Sequence, residues 1–590
     1  MYTFIVALTH LLSLTSAVLT FIPTRPPSIP LAVKSPYLSA WLPVGSEGNN
    51  GGYLPGQWPQ FYTGQTLGWT GLVRVDNETY TWMGAPENIP VAHQTAFEYT
   101  ATKSVFTIEV NKKVALRVTF FSPLTQKDLG RQSLVFSYMS VEVASIDGED
   151  HKVQIYNDTS AEWISGDETI NAEFCRYLQY YATDAQNGVT YHSGVDEDPV
   201  FGYGVNLGMV RRSSVSTLFS PGLCQDEAIQ FLGAEGLVVL PSLWKSYFAN
   251  DLETLVFFHQ DHEEYSRLSS ELDDQILEDS IVAARQDYAI LTTLAARQAF
   301  AATQLTVDVI YPTSPIFFYT NPELIRLLLD LHFENQESGH YPNTWAIHDL
   351  GAHYPNNTGQ PDGNDEPMPV EECGNNIIMV LAYFQRSGNT DYIKQHCPIL
   401  KQWVKYLIEQ SLYPAEQLLR CHLANQTNLA LKGIIGIEAM SHLSSLINQT
   451  VAAQIYTTIS HTFISAWQTL TLNTAASPPH AMLNYANASS WSLLYNLFAD
   501  RLLATNLVAK EIYDMRSAFY PTVEDLYSVS DDSITSILDD PAVLLYLARR
   551  QLLMQVVVAV CPGVFTPLFR NAAIPRVPIG LDCNYQLRNV

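Results

Sequence analysis

Residues 345–384, WAIHDLGAHYPNNTGQPDGNDEPMPVEECGNNIIMVLAYF, form a long polar segment that runs into an uninterrupted apolar one. Glycine, proline and asparagine are frequent in the first part, which predicts a loop, and the run from Ile377 to Phe384 predicts a buried helix. Long loops inside compact domains are uncommon unless they carry function. The stretch up to Asn376 holds six carboxylates and two histidines, so we expect a functional site mounted at the start of a rigid helix.

The chain after about residue 262 repeats this helical pattern. Apolar residues recur at intervals of three and four, as they do on the buried face of an amphipathic helix. A series of such helices joined by short loops predicts an α/α toroid, whose cleft would be lined by loops at one end of the helices. The same periodicity would also fit an open solenoid. The segments that carry it are 266–304, 322–335, 375–389, 391–410, 428–447, 451–470 and 492–503.

Residues from about 20 to 250 carry a different pattern, in which short β-rich runs are separated by turns. Several runs alternate between apolar and polar residues, which is typical of strands with one buried face, and their spacing favours an antiparallel β-sandwich. The predicted fold is therefore multidomain, with a β-sandwich over residues 18–261 and a helical α/α toroid from residue 262 onward. The β-rich runs are 70–84, 102–123, 132–158 and 235–248.

Composition restricts the possible partners. The chain of 590 residues is long enough for several domains, and its 47% of hydrophobic residues can form sizeable cores. It has 32 basic and 59 acidic residues and a net charge of −27, which repels nucleic acid and anionic membrane surfaces. After the N-terminus, no segment has the roughly 18 uncharged apolar residues that a membrane span needs. We expect a small-molecule partner that is neutral or cationic.

The N-terminus has the composition of a secretory signal peptide. An apolar stretch from Phe4 to Leu14 precedes small residues and a proline-rich segment, so we predict a leader over residues 1–17 that is cleaved near Ala17. The alternative is a buried first strand, because the leader contains no lysine or arginine. Six N-x-Ser/Thr sequons agree with a secreted, extracellular glycoprotein. They are Asn77, Asn157, Asn356, Asn425, Asn448 and Asn487.

The chain has seven cysteines, so at least one stays unpaired if the others form disulfides. An oxidising compartment permits disulfides, and Cys175 with Cys224 is the favoured pair because both lie in the same predicted domain. Cys373 stands at the start of the predicted apolar helix, where the helix N-terminus would lower the pKa of a thiol. The alternative is that Cys373 is a small buried apolar residue.

Eight blocks of sequence between about residues 30 and 527 are distinctive. In these blocks the chain resembles the secreted fungal glutaminase A-type family. The resemblance implies an extracellular enzyme that hydrolyses L-glutamine, with an N-terminal β-sandwich and a C-terminal α/α toroid. The resemblance does not identify an established set of catalytic residues. The blocks are SPYLSAWLP (35–43), LPGQWPQFYTGQTLGWTGLVRVDNETYTWMG (54–84), DYAILTTLAARQAF (287–300), FFYTNPELIRLLLD (317–330), YPNTWAIHDLGAHYPNNTG (341–359), DEPMPVEECGNNIIMVLAY (365–383), LANQTNLALKGIIGIEAM (423–440) and SLLYNLFADRLL (492–503).

The chain departs from the family pattern in three places. Between Gln304 and Thr306 it lacks a strand-like insertion, and at 415–424 it reads AEQLLRCHLA where relatives carry an acidic run similar to Thr-Asp-Asp-Phe. Beyond about Ser530 the tail no longer resembles the family, which continues with further toroid helices. The resemblance therefore implies a six-hairpin-like toroid over residues 262–530 that is incomplete at its C-terminus, followed by a divergent tail over 531–590. A catalytically disabled relative remains an alternative to an active enzyme.

Hydrolysis of a carboxamide needs an activated water, a polarised carbonyl group and a proton donor for the departing ammonia. Glu371 and Glu372 directly precede the apolar run, where a helix dipole favours their charged form. One of them is a candidate for the general base, although two adjacent acids cannot both face the cleft. The alternative is ordinary capping chemistry in the first turn of a helix.

Four further residues are predicted to bind substrate. Asp365 and Glu366 lie in a segment stiffened by prolines and would bind the α-ammonium group of glutamine. Lys432 lies in an otherwise apolar run, so it either meets the substrate carboxylate or extends to solvent. Asn375 either donates a hydrogen bond to the developing oxyanion or caps the helix.

His348 and Asp349 are a second catalytic candidate, because an imidazole beside a carboxylate can shuttle a proton. The alternative is a turn that only pins the loop. His353 makes a His-x4-His pair with His348, but no third ligand follows at a metalloenzyme spacing, so no metal site is predicted.

The leading functional interpretation is an amidohydrolase acting on L-glutamine without a cofactor. No Walker or Rossmann fingerprint and no Gly-x-Ser-x-Gly elbow is present. A glycoside hydrolase is the alternative, because two carboxylates in a toroid cleft would suit that chemistry as well. In that case tryptophans would stack on sugar rings, although core packing is an equally ordinary role for them. These tryptophans are Trp58, Trp69, Trp82 and Trp345.

Overall fold

Strands occupy the first part of the chain and helices the second. The computed structural model describes residues 19–20, 28–35, 37–44, 52–62, 64–160, 163, 200–302, 307–351, 356–415 and 423–526. The predicted leader, Cys175, His353 and the predicted tail over 531–590 lie outside these residues.

The strands of the described residues are β1 (Leu19–Thr20), β2 (Ser28–Val33), β3 (Ser39–Pro43), β4 (Gln60–Phe61), β5 (Trp69–Val75), β6 (Glu78–Met83), β7 (His93–Tyr99), β8 (Lys103–Val110), β9 (Val114–Phe121), β10 (Tyr138–Ser145), β11 (His151–Ser160), β12 (Val200–Val210), β13 (Val215–Phe219), β14 (Glu227–Gly233), β15 (Gly236–Pro241), β16 (Asn356–Asn357), β17 (Leu472–Asn473) and β18 (His480–Ala481).

The predicted β-sandwich is confirmed. One antiparallel sheet has the order β1-β7-β8-β9-β10-β13 and a second has the order β12-β11-β5-β6. Burial alternates along β5 and β9, as expected for strands with one face in a core. Val73 and Ile155 of the smaller sheet share one buried cluster with Phe106 and Val118 of the larger sheet. This common core shows that the two sheets pack face to face.

The α-helices of the described residues are α1 (Leu129–Gln132), α2 (Asp251–Gln260), α3 (His262–Ala302), α4 (Val307–Thr320), α5 (Glu323–Glu337), α6 (Pro369–Ser387), α7 (Thr390–Gln410), α8 (Thr427–Leu446), α9 (Thr450–Thr471), α10 (Leu497–Leu503) and α11 (Lys510–Leu526). No helix in this part of the chain combines the length and the apolar character of a membrane span.

The helical half has the predicted toroid architecture, in which buried inner helices alternate with half-exposed outer ones. The inner helices α6 and α8 are buried over almost their whole length, whereas the outer helices α7 and α9 bury one face. Helices α6 and α8 are parallel, because Val370 lies opposite Gly433 and Gly374 lies opposite Gly436. Both helices therefore begin at the same end of the toroid.

The inner helices α4 and α10 run in this direction too. Near the start of α4, Tyr311 contacts Lys432 of α8, and near its end Phe318 contacts Arg386 at the end of α6. Helix α10 begins beside Asn428 of α8, and it ends where the carbonyl of Leu503 accepts a hydrogen bond from Gln385 of α6. Four helix N-termini thus meet at one end, which concentrates their unpaired N–H groups and positive dipole ends there.

The long helix α3 connects the sandwich to the toroid. Arg297 of α3 is 1% exposed, and its guanidinium group donates to the carbonyl oxygens of Ala101 at 2.8 Å and Thr100 at 3.3 Å. Asp273, 24 residues earlier in α3, accepts hydrogen bonds from the hydroxyl groups of Thr100 and Thr102, each at 2.6 Å. A straight helix would separate Asp273 from Arg297 by about 36 Å, so α3 bends back between them, as the 2.7 Å contact of Ser280 with Thr292 also requires. Both charged side chains are directed at the β7–β8 turn. The helix is therefore attached to the sandwich by specific buried polar contacts.

The hairpin of β14 and β15 holds the long loop that precedes α6. Within this loop, β16 adds to β14 as a parallel strand. On the same hairpin, the carbonyl of Leu232 accepts a hydrogen bond from Asn335 at 2.7 Å, and the N–H of Ala234 donates to Glu334 at 3.0 Å. The hairpin thus joins helix α5 to the loop and fixes the position of both.

The sequons differ in their surroundings. Asn77, Asn356 and Asn448 are exposed, and Asn425 and Asn487 are half-buried. Asn157 is 6% exposed, and its side-chain nitrogen donates to the carbonyl of Thr70 at 2.9 Å. A glycan is attached through this nitrogen, so Asn157 does not meet the surface requirement on which its prediction depended.

A histidine is enclosed by carboxylates at one end of the sandwich. The side chain of His151 is 7% exposed, with Nδ1 at 3.1 Å from Asp76 and Nε2 at 3.0 Å from Asp147. Burial lowers the pKa of His151, but the hydrogen bonds that its ring donates to Asp147 and Asp76 together raise it above 6.5. The hydrogen bond from Lys113 is the main cause that lowers the pKa of Asp76 to about 2. Both carboxylates are thus charged whenever His151 titrates.

We expect His151→Gln to destabilise the protein in a pH-dependent way. Because the folded state raises the pKa of His151, its stabilisation is complete below about pH 6.5 and is lost as the pH rises through the folded-state pKa. The difference in unfolding midpoint between the parent and His151→Gln should be largest at about pH 5.5 and smallest above about pH 8. Urea unfolding over this pH range measures it. A difference that grows with pH would contradict the assignment.

Candidate active site

The first turn of α6 carries the two predicted catalytic carboxylates. Pro369 stands at the first helical position, where its missing N–H and fixed φ suit a helix start. Glu371 and Glu372 follow in that turn, and the helix ends at Gly388, which has a left-handed φ of 69°. The apolar run between these limits is buried, so packing along the whole helix fixes the position of the start of α6. The predicted loop and buried helix are therefore both present.

Lys432 of α8 reaches across to this turn. Its Nζ donates to Oδ1 of Asn375 at 2.6 Å and lies 3.1 Å from Oε1 of Glu371. The same Nζ lies 3.3 Å from the centre of the Tyr311 ring, a cation–π geometry. The side chain is fully buried, and this burial lowers the pKa of Lys432 despite the charge of Glu371. A carboxylate, an amide and an aromatic face thus replace the water that this ammonium group has lost.

Glycines make this contact possible. A Cβ on Gly374 would lie 2.7 Å from Cγ of Lys432, and a Cβ on Gly436 would lie 3.2 Å from Cα of Gly374. Contacts this short would separate α6 from α8 or displace the lysine stem. The lack of side chains at these positions therefore lets Lys432 lie flat across α6.

The two glutamates are not equivalent. Glu371 is 8% exposed and is paired with Lys432, whereas Glu372 is 0% exposed and its Oε2 lies 3.4 Å from Nδ2 of Asn375. Only Glu371 retains some surface for a substrate. Asn375 bridges Lys432 and Glu372, so both ends of its amide are engaged in holding charged groups.

Lys432 and Asn375 thus have surroundings different from those predicted. Lys432 does not extend to solvent, and its contacts favour holding Glu371 over reaching a substrate carboxylate. The Nδ2 group of Asn375, which was expected to donate to an oxyanion, is directed at Glu372. Both residues surround Glu371, so the structure brings together four of the eight predicted site residues.

His348 and Asp349 bind the loop to itself. Nδ1 of His348 lies 2.8 Å from Oδ2 of Asp349, and Oδ1 of Asp349 accepts hydrogen bonds from the N–H of Gly351 and the amide of Gln360. Burial raises the pKa of Asp349, but the hydrogen bonds from His348 and Gln360 lower it overall. This arrangement favours the interpretation in which the His-Asp turn pins the loop.

Asp365 and Glu366, the predicted ammonium-binding pair, have different surroundings. Oδ1 of Asp365 accepts the hydroxyl of Tyr341 at 2.7 Å, and Oδ2 accepts the N–H of His348 at 2.8 Å. Glu366 is exposed. The carboxylate of Asp365 is thus committed to the loop, because loop N–H groups that face the interior need acceptors.

Sequence reasoning missed three polar residues of this region. Tyr311 lies near the start of α4, and its pKa is raised by burial and by the charge of Glu371. Asn428 begins α8 one turn before Lys432, and Asn496 directly precedes α10. They come from separate inner helices, so no spacing in the sequence links them. The one available signal was the polar LANQTN block before an apolar run.

The remaining predictions concern Cys373, the tryptophans and the absence of a metal site. Cys373 is buried, accepts a hydrogen bond from the N–H of Ala346, and has a pKa raised by burial, as expected for a small buried residue. Trp69 and Trp82 lie in the sandwich core, and Trp345 packs against Tyr406. No group of three potential metal ligands occurs within the described residues.

The chain is similar to two fungal proteins named as glutaminases. A family model described as the glutaminase A six helical-hairpin domain matches residues 305–540, and a domain of unknown function matches residues 102–194 and 185–279. Glutaminase A of Aspergillus oryzae is 48% identical over 611 residues, with coverage of 90% of this chain and 88% of the relative. A probable glutaminase of Arthroderma benhamiae is 28% identical over 700 residues, with coverage of 86% and 80%.

Among solved structures, a bacterial glucoamylase complexed with acarbose covers 79% of this chain at 8% identity, and 72% of that protein is matched with a TM-score of 0.41. A likeness this weak does not bear on function. The 48% identity over most of both chains decides the assignment. The chain belongs to the glutaminase A family.

Proposed function

We propose that the protein hydrolyses L-glutamine to L-glutamate and ammonia, and that Glu371 activates the attacking water. Membership of the glutaminase A family supports the reaction. The observation that carries the residue assignment is the geometry of Glu371, which is the partly exposed member of a buried carboxylate–lysine pair at the end where four helices begin.

Glu371 can serve in both halves of the reaction. Its carboxylate takes a proton from water while the water oxygen bonds to the carboxamide carbon. The same proton then passes to the nitrogen as the C–N bond breaks, which gives a carboxylic acid and ammonia. Proton transfer by a positioned side chain of this kind accelerates reactions by about 10²–10⁴-fold.

Lys432 is a positioning residue in this scheme. Its ammonium group holds Oε1 of Glu371, while Asn375 and the Tyr311 ring hold the ammonium group. The orientation of the carboxylate is thus set before substrate arrives, which lowers the cost of reaching the reactive geometry. The converging helix N-termini favour the negative charge that develops on the carbonyl oxygen.

Ammonia release from L-glutamine tests the function. We expect the parent to release ammonia and Glu371→Gln to lose about 10²–10⁴-fold in kcat, because its amide cannot accept the proton. Glu372→Gln should lose less, since that side chain has no exposed surface. Glu409→Gln, an exposed glutamate on outer helix α7, is the matched control and should keep full activity.

Equal losses in Glu371→Gln and Glu409→Gln would remove Glu371 from the mechanism. The parent should also be assayed for sugar release from oligosaccharides. Sugar release without ammonia would establish a glycoside hydrolase instead, and inactivity on both substrates would establish a disabled relative.

The buried pair predicts a specific pattern of stability. Lys432→Met should lower the free energy of unfolding by about 3–5 kcal/mol, because it leaves Glu371 as an uncompensated charge in the interior. The double variant Lys432→Met/Glu371→Gln should recover part of this loss. Urea unfolding of the parent, Lys432→Met, Glu371→Gln and the double variant measures the coupling. Lys394→Met, which removes an exposed lysine from outer helix α7, should change stability little.

Strictly additive effects of the two substitutions at 432 and 371 would show that they do not interact. An effect of Lys394→Met as large as that of Lys432→Met would show that burial is not the cause.

We further propose that the protein is secreted after cleavage near Ala17 and carries N-linked glycans. Expression in a fungal host should give protein in the medium, and N-terminal sequencing should start close to Val18. Peptide mass spectrometry after enzymatic deglycosylation should show occupancy at the exposed Asn77, Asn356 and Asn448. Occupancy at Asn157 would contradict the burial argument, and protein that stays inside the cells with its leader attached would contradict secretion.

A further inference from the structure

Asn428 and Asn496 are joined by two hydrogen bonds where α8 and α10 begin. The backbone N–H of Asn496 donates to Oδ1 of Asn428 at 3.1 Å, and Nδ2 of Asn496 donates to the backbone carbonyl of Asn428 at 2.8 Å. Asn428 is 7% exposed and Asn496 is 1% exposed. The side chains are thus fixed against each other inside the protein.

The backbone partners decide which way each amide points. Oδ1 of Asn428 faces an N–H group, so this end must be the oxygen, and Nδ2 of Asn496 faces a carbonyl, so this end must be the nitrogen. The atoms left over are Nδ2 of Asn428, a donor, and Oδ1 of Asn496, an acceptor. Neither has a hydrogen-bond partner among the described residues.

Unpaired buried groups of this kind need an explanation. A buried donor or acceptor without a partner costs about 1–3 kcal/mol, and most such groups in folded proteins are paired. A pair that is rigid, buried and unpaired at one donor and one acceptor is suited to a ligand that brings the opposite groups.

The pair lies near Lys432, the residue that holds the proposed catalytic group. Asn428 precedes Lys432 by four residues on α8, so the two side chains lie on the same face of that helix. Tyr495, the neighbour of Asn496, is close enough to Tyr311 to raise the pKa of Tyr311, as Glu371 also does. The ring of Tyr311 in turn contacts Lys432. The hydroxyl of Tyr311 is a further buried group without a partner in the described part of the chain.

We propose that Asn428 and Asn496 recognise the carboxamide of the substrate, with Asn428 donating to its carbonyl oxygen and Asn496 accepting from its amino group. This rests on the proposed function and names its specificity-determining residues. A carboxamide offers one acceptor and one donor, which match the two unpaired atoms. A carboxylate offers two acceptors, one of which would face Oδ1 of Asn496. The pair therefore selects amide over acid and disfavours retention of the product.

A water molecule would also satisfy both unpaired atoms. Water can rotate to exchange its donors and acceptors, whereas a carboxamide held for reaction cannot. Replacing the unpaired donor by an acceptor therefore separates the two cases. Asn428→Asp makes this replacement and keeps the oxygen that accepts from Asn496.

The experiment uses calorimetric binding of L-glutamine at pH 8 to the full chain carrying Glu371→Gln, which slows turnover. We expect this protein to bind L-glutamine at least tenfold more tightly than L-glutamate. Adding Asn428→Asp should weaken L-glutamine binding at least tenfold in protein that circular dichroism shows to be folded. Asn506→Asp, an exposed asparagine with a left-handed φ of 54°, is the matched control and should leave binding unchanged. If Asn428→Asp does not fold, Asn428→Ala removes the donor without adding charge and should give the same loss.

Unchanged affinity in a folded Asn428 variant overturns the inference and leaves the amidohydrolase function standing. Weakened binding in a protein whose parent form binds but does not hydrolyse L-glutamine supports the recognition pair and overturns the catalytic proposal. Failure of both the parent and Glu371→Gln to bind L-glutamine overturns both.

Discussion

Lys432 carries its ammonium group into the interior at the end of the toroid where the inner helices begin, and the candidate site depends on how this charge is compensated. Removing an ammonium group from water costs several kcal/mol even after the protein relaxes. Glu371, Asn375 and the Tyr311 ring offset this cost from three directions. Their geometry in turn requires α6 and α8 to approach closely, which Gly374 and Gly436 permit. The ion pair and the close packing of α6 against α8 therefore depend on each other.

The remaining architecture keeps this pair at an accessible end of the helices. The inner helices begin together, so Glu371 of α6, Lys432 and Asn428 of α8 and Asn496 at the start of α10 lie at one end of the toroid. The loop before α6 is held by the β14–β15 hairpin and by its own His348, Asp349 and Asp365 contacts. Long helix α3 attaches the toroid to the sandwich through Arg297 and Asp273. The sandwich thus acts as a support for the helices and the loop that position the site.

This arrangement assigns different tasks to carboxylates that look alike in the sequence. Asp349 and Asp365 accept hydrogen bonds from loop N–H groups and side chains, which leaves them little capacity for a substrate. Glu372 points inward beside Asn375, and Glu366 lies at the surface. Glu371 alone combines burial, a cationic partner and residual exposure. The dense acidic loop is therefore mainly a structural element, and the chemistry is assigned to one residue at its end.

Local patterns were enough to predict the β-sandwich, the helical toroid and the polar loop that leads into the buried helix α6. Strand alternation, helical periodicity and the change from a polar loop to an apolar helix are properties of neighbouring residues, so the sequence by itself determined them. The pairing of Lys432 with Glu371, the choice between Glu371 and Glu372, and the meeting of Asn428 with Asn496 were decided only by tertiary structure. Each joins segments that are far apart in the chain or depends on which way a side chain points. Helix packing sets both, and no local pattern records it.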